Sequence, residues 1–395
     1  MRQLLFGGTV TETPSPAGGR ILIVGGGAIG LSIAHHLLDA GHEEVAVLEQ
    51  AEIGSGTSSA GTGGIRQQFT SEINVRLVRD SIPEFLTLGE RTGMPFEFRQ
   101  HGYLFLADSE ERLASLEKSA ALQRTLGVEC EIIAPDRIAD VAPDVELDGV
   151  LGGSYSPQDG SAITQEAVAA WEAALRRSRV QIHEGVRVLD FRRSPSGRVV
   201  GVSTSAGSFD ADTVIIAAGV WSRGLGRMLG LDIPVSPRSR QAFEILSEDV
   251  DLGTPLTVDL GTGAYVHPKS SRRVLIGGND REVPESQRPA LDPERIPSLL
   301  SAIARRFPKY AGIAPSRGWA GLREMTPDDH AIVGPTGVAG VWVATGFSGH
   351  GFMQAPAIGR ILSELLLEGR SDTDLGPLRP ERFAEQVSLH EGIRF

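Results

Sequence analysis

The chain has one cysteine, Cys130, among 395 residues. With no second thiol it cannot close an internal disulfide or build a multi-cysteine metal site, and a reducing, cytoplasmic setting fits. Val128, Ile132 and Ile133 around it predict a half-buried strand, in which the thiol is structural rather than reactive. Lys/Arg runs are also missing: 38 basic residues stand against 50 acidic ones, for a formal net charge of -12. No basic stripe is present to neutralise phosphates, so a nucleic-acid partner is not expected, and the acidic balance disfavours anionic membrane surfaces. No stretch approaches the roughly 18 uninterrupted apolar residues of a membrane span. The Leu4-Leu5-Phe6 patch inside the Gly- and Pro-rich residues 1–19 is too brief for a secretory apolar core, and this stretch reads as a flexible leader.

Glycine, in contrast, is abundant and clustered. A branched apolar run, Ile21 to Val24, passes into Gly25-Gly26-Gly27-Ala28-Ile29-Gly30, then Leu31, Ile33, Leu37 and Leu38 at helical spacing. In such a strand–turn–helix the first glycine makes the turn, the second lets a pyrophosphate touch the backbone, and the third lets helix and strand pack closely. A phosphate there meets unpaired N–H donors and the positive end of the helix dipole. A second apolar run, 45–48, ends in Glu49, about 20 residues beyond the glycines, where an acid reads ribose hydroxyls and repels a 2′-phosphate. FAD and NAD both satisfy this pattern.

Two further small-residue clusters, 54–64 and 346–351, point to close backbone approach, and 54–64 directly follows the nucleotide-binding unit. Helical periodicity predicts helices over 74–88, 110–126 and 166–177. A strand is predicted over 96–106, and a hairpin around the Ser194-Pro195-Ser196-Gly197 turn. The apolar run 213–217 closes on Ala218-Gly219-Val220-Trp221-Ser222. Past Pro234, four short alternating strands (241–246, 257–260, 264–267 and 274–277) predict an antiparallel sheet. A last strand, 341–345, leads into the third glycine cluster and a helix. The fold class is therefore α/β (α+β): a Rossmann-like nucleotide domain (20–90, 155–230, 325–380) with an inserted antiparallel-sheet substrate domain (91–154, 231–324) and a tail (381–395). Ligands bind in the crevice between such units.

Taken together, the 25–30 turn, Glu49, GTSSAGTGGIRQQF, VIIAAGVWS, WAGLREMTPDDHAIVGP and ATGFSGHGFMQAPAIGR resemble the D-amino-acid oxidase superfamily of FAD enzymes over residues 20–380. Within it the motifs are similar to the branch holding sarcosine oxidase beta-subunit, proline dehydrogenase and glycine oxidase. The resemblance implies that Gly25, Gly27, Ala28, Ile29 and Gly30 hold the FAD pyrophosphate and Glu49 the adenosine ribose. It places Thr57, Ser58, Gly63 and Gly64 along the pyrophosphate and flavin, Val188 at the adenine, and Phe347, Ser348, Gly349, His350, Gly351 and Phe352 at the flavin pyrimidine edge. It adds Gln50, Ile65, Ala218, Gly219, Trp221 and Gly321 to the cofactor contacts.

The reaction the resemblance implies is oxidation of the C–N bond of a small amino acid or N-alkyl amino acid, with hydride passing to flavin N5 and an imine left for hydrolysis. Arg323 is the candidate anchor for a substrate carboxylate, with a salt bridge to Glu324, Asp328 or Asp329 as its alternative role. Arg66 is a second candidate, for carboxylate or flavin. Tyr265 and His267 should share one face of a strand roofing the cavity. His350 is read as positional rather than as a base, because a neutral amine can yield hydride without one. Relatives that attach FAD covalently use a cysteine near Gly321, so non-covalent FAD is expected. Those relatives also carry one lysine where Met353 stands and another near Tyr265, associated with oxygen activation, which leaves O2 and other electron acceptors open. An oligomer or hetero-complex, a non-catalytic assembly flavoprotein and an NAD dehydrogenase are the remaining readings.

Overall fold

The computed structural model describes residues 19–278, 281–283, 289–387 and 389–393. Of the predicted leader, residues 1–18 lie outside this set. A six-stranded sheet runs in the order Ile332–Pro335, Val341–Thr345, Thr213–Ile216, Ile21–Val24, Val45–Leu48, Gln181–His183. All pairings in it are parallel except that of the Ile332–Pro335 edge. Its inner strands are covered on both faces, which is why they read as unbroken apolar runs rather than as alternation. One face carries helices Ala28–Asp39, Glu72–Thr92, Thr164–Arg176 and Gly351–Glu368, packed through Leu31, Ile33, Leu37, Trp171, Ile358 and Leu362. The other carries a three-stranded antiparallel sheet, built on the predicted hairpin, and the short helix Ser222–Leu229.

Register fixes where the turns fall. Val24 lies opposite both Leu48 and Ile216, and Ile216 lies opposite Val343. The chain therefore leaves four neighbouring parallel strands at one end of the sheet, at Gly25, Glu49, Ala217 and Gly346, with roughly 4.8 Å between adjacent strands. This is the carboxyl-end crevice in which open α/β sheets bind ligands.

The second sheet has nine strands, drawn from 103–156 and 236–325. Two expectations are corrected here. The sheet is not wholly antiparallel, because Leu256–Asp259 runs parallel to Tyr103–Ala107. The strand predicted over 96–106 is only Tyr103–Ala107: Gly102 at φ +86° leaves the extended region and ends the alternation before it. The sheet's two faces differ in what they bury. Leu104, Leu106, Val266 and Ile276 face a core shared with helix Ile296–Arg306, whereas Tyr103, Phe105, Leu256, Val258 and Tyr265 form a separate cluster on the opposite face.

Cys130 is buried just before the strand Glu131–Ile133, which has the expected half-buried pattern, Glu131 exposed and Ile133 buried. Its Sγ lies 3.2 Å from Ser154 Oγ, and burial pushes the thiol up to about 11, which keeps it inert.

Candidate active site

The 25–30 turn is built by close approach. A Cβ on Gly30 would stand 1.9 Å from the Gly25 carbonyl oxygen, so any side chain there would pry the helix off the strand. The helix Ala28–Asp39 has no acidic residue in its first turn, and its Ala28 N–H donates to Ser58 Oγ at 3.0 Å. Gly54 N–H donates to the Gly26 carbonyl at 2.9 Å, which ties the second glycine cluster to the first. Glu49 accepts from Gly26 N–H and Ala51 N–H, both at 2.9 Å, and so faces the turn from the neighbouring strand end.

The third cluster joins them. Thr345 Oγ1 lies 3.0 Å from both the Gly219 carbonyl and Glu324 Oε2. Phe347 N–H donates to Glu324 Oε1 at 3.4 Å, and Ser348 N–H donates to the Glu324 carbonyl at 2.9 Å. Glu324 is buried, and burial raises its pKa against the hydrogen bonds it accepts. It holds the 346–351 turn, and Thr345 ties that turn to the Gly219 carbonyl. From sequence Glu324 stands only as a possible ion partner of Arg323, because its place comes from a sheet pairing that no local motif encodes.

Arg323 lines a cavity of about 530 Å³, together with Arg223, Arg238, Met325, Ser348 and His350. Its Nη2 donates to the Ser348 carbonyl at 3.0 Å, and a Cβ on Gly349 (φ +87°) would meet the guanidinium at 2.0 Å, so glycine is what lets it lie on the turn. The carboxylates weighed against it have other duties: Asp328 binds Arg382 at 2.9 and 3.0 Å, and Glu324 holds the 346–351 turn. Asp329 lines the same cavity as Arg323.

Arg66 is fully buried, with its guanidinium 4.1 Å from the centre of the Phe69 ring and Nη2 3.3 Å from His350 Nε2. It also donates to the Gln68 carbonyl. His350 packs edge-on against Phe69, with centroids 4.9 Å apart. Burial and then the charges of Arg66 and Arg323 hold His350 well below its ordinary value, so it is neutral. Asp159 is pushed up to about 6 by burial, while Gln67 and Gln68 donate to its oxygens.

Tyr265 and His267 both point away from the helix-covered core, as alternation predicts. Tyr265 joins Tyr103 and Phe105, while His267 stacks on His101 with centroids 6.1 Å apart. Lys269, four residues beyond Tyr265 and not among the candidates, donates to the Thr62 carbonyl at 3.3 Å. Burial lowers it to about 8.

The remaining predicted contacts fall as follows. Gly64 and Ile65 pair with Gly160 and Ser161 as a two-stranded ribbon, and Gly321 packs directly on Ala60. Trp221 is half-exposed beside Gly56, and Gln50 is exposed. Val188 sits in the core behind the second strand, and its neighbour Val186, not singled out from sequence, donates its N–H to the Glu49 carbonyl at 2.8 Å. Among the described residues no cluster of His, Cys, Asp and Glu is arranged to hold a metal, and no helix is long and apolar enough to cross a membrane.

This set of residues fits an extended dinucleotide. It has a helix start that only glycine can pack, an acid at the next strand end, and two more turns hydrogen-bonded alongside.

Comparison with known proteins agrees. The family model described as FAD dependent oxidoreductase (DAO) matches residues 20–365. Glycine oxidase of Geobacillus kaustophilus is 28% identical, over 93% of this chain and 98% of that protein. Mitochondrial dimethylglycine dehydrogenase of Rattus norvegicus is 29% identical over 92% of this chain, which spans only 45% of that longer protein. The crystal structure of L-proline dehydrogenase from P. horikoshii superposes with a TM-score of 0.88 at 29% identity, covering 95% of this chain and 100% of that one.

Proposed function

Because the chain belongs to the DAO family of FAD-dependent oxidoreductases, we propose that it oxidises the C–N bond of a small amino acid or N-alkyl amino acid. The NAD reading falls away with that membership. FAD, when bound, supplies the hydride acceptor. Gly25 to Gly30 and Ser58 would hold its pyrophosphate, Glu49 its ribose, and residues 347–352 its pyrimidine edge.

Arg323 is the observation that carries the substrate reading. Arg323 lines the cavity with its Nη2 on the Ser348 carbonyl, and a planar guanidinium at that place would pair with a substrate carboxylate through parallel hydrogen bonds. Anchoring that end orients the adjacent C–H, which is the gain that positioning gives to hydride transfer. Val235, Met325 and Ile393 give the cavity an apolar part, and Ile393 is backed by the Tyr103, Phe105 and Tyr265 cluster. His350 acts by position. Its Nε2 faces the donor-only guanidinium of Arg66, so its lone pair is already engaged and it makes a poor base. The amine substrate is therefore taken up in its neutral form, and the imine is released to water. Electrons then leave to O2 or a separate acceptor, in a cytoplasmic setting.

The test is an anaerobic screen of amino acids and N-methyl amino acids, each paired with its decarboxylated amine, following bleaching of the flavin absorbance. Bleaching by carboxylate-bearing amines alone supports the proposal. Bleaching by none of them favours the assembly-flavoprotein reading, and equal bleaching by the decarboxylated amines removes the carboxylate anchor.

A further inference from the structure

The segment read from sequence as a tail is pinned at both ends over the cavity. Arg382, fully buried, donates Nε and Nη2 to Asp328 at 2.9 and 3.0 Å, and Leu389 N–H donates to the same carboxylate at 3.4 Å. Further on, Glu391 is buried at the start of helix Glu72–Thr92. There it accepts from Thr70 N–H at 2.9 Å, Thr70 Oγ1 at 2.8 Å, Ser71 Oγ at 3.3 Å and Asn74 Nδ2 at 3.3 Å. A carboxylate is favoured at such a helix start by the dipole, and Glu391 also attracts Arg66. Gly392 N–H adds a 2.8 Å bond to Thr70 Oγ1. Ile393, 4% exposed, then inserts among Tyr103, Phe105, Leu256 and Tyr265. Glu391 and Ile393 line the same cavity as Arg323, Ser348 and His350.

We propose that residues 389–393 are a strap that closes the substrate cavity, held by Glu391 on residues 70–74, with Ile393 setting the largest substituent an amine substrate can carry. The inference rests on the amine-oxidising reading of that cavity. Geometry makes the division of labour specific. The Glu391 bonds to Thr70, Ser71 and Asn74 fall on one short stretch of chain, whereas Ile393 brings apolar bulk to the cavity lining that a substrate's side chain or N-alkyl group would meet. Opening the strap would expose the cavity while Ser58 still holds the first glycine-rich turn and Glu324 the third.

The test uses the FAD-loaded full chain, Ile393→Ala, Glu391→Ala and a chain ending at Val387, each checked for FAD content. Ile393→Ala is expected to raise kcat/KM for an N-butyl amino acid relative to its N-methyl counterpart about tenfold, the scale set by added apolar room in a pocket. Glu391→Ala and the shortened chain are expected to raise iodide quenching of flavin fluorescence severalfold. An unchanged substrate ratio together with unchanged quenching overturns the proposal. The quenching needs no turnover. If no amine reduces the flavin at all, the functional reading fails, and the strap is still judged by quenching alone.

Discussion

Arg66 Nη2 lies 3.3 Å from His350 Nε2, with both side chains buried against the Phe69 ring. A guanidinium has no lone pair to give, so Nε2 is the acceptor and His350 stays neutral. Burial and then the Arg66 cation beside it lower the histidine's pKa and favour its neutral form.

This relationship has a signed consequence. Burial is the largest cause lowering His350, with Arg66 next. In Arg66→Met the second cause disappears, and the histidine pKa climbs back toward its ordinary value. The wild-type rate of flavin reduction should then show no acid limb from this residue near neutral pH. The variant should gain one on the acid side, with activity falling as pH drops through a histidine pKa that is raised but still held below its ordinary value by burial and Arg323. Stopped-flow reduction from pH 5 to 9 measures it, and identical profiles would contradict the assignment.

Cofactor attachment gives a second expectation. Gly321 packs on Ala60, and the chain's one cysteine is buried beside Ser154, so FAD should come off intact when the protein is precipitated with acid. Gly30→Val should yield protein with little or no FAD, because the added side chain collides with the Gly25 carbonyl. Absorbance of the supernatant and of the purified variant reads both. Flavin retained in the acid pellet would contradict the first, and a fully loaded variant the second.

Stability should depend on a pair behind the nucleotide-binding helix. His36 Nε2 and Glu84 Oε2 are 2.7 Å apart and nearly buried. Burial opposes both charges. The Glu84 hydrogen bond and charge outweigh it and raise His36, while the His36 hydrogen bond and charge outweigh it and lower Glu84. The His36 contribution is full below its unfolded value of 6.5 and is lost as pH rises through its raised folded value. The Glu84 contribution is full above 4.5 and is lost as pH falls through its depressed value. His36→Ala, which leaves the Glu84 carboxylate only Trp171 Nε1 at 3.2 Å and Arg91 at 3.9 Å, should cost about 3 kcal/mol between pH 5 and 6.5 and less at higher pH. Thermal unfolding of both proteins across that range checks it, and a loss independent of pH would exclude the ion pair.

The sequence carried the nucleotide half well, for a physical reason. Parallel strands buried on both faces, glycine turns and helix periodicity are local signals, so Ile21 to Gly30, Glu49 and 341–351 could be placed from residues alone. What escaped was non-local. Glu324 works through pairing of the Arg317–Met325 strand and its approach to the third turn, and Glu391 through a tail that returns to residues 70–74. Lys269, on the second sheet, reaches Thr62 in the 54–64 cluster across a long sequence separation. The shortened strand at Tyr103–Ala107 turned on one backbone angle at Gly102 that alternation could not reveal.

The central claim is that Arg323 anchors a substrate carboxylate beside the flavin site. Its most direct test compares wild type and Arg323→Met in anaerobic flavin reduction by whichever carboxylate-bearing amine the screen identifies. Loss of a bidentate charged pair of about 3 kcal/mol predicts a fall of roughly 100-fold in kcat/KM with FAD content unchanged. Equal reduction by the two proteins would contradict the account.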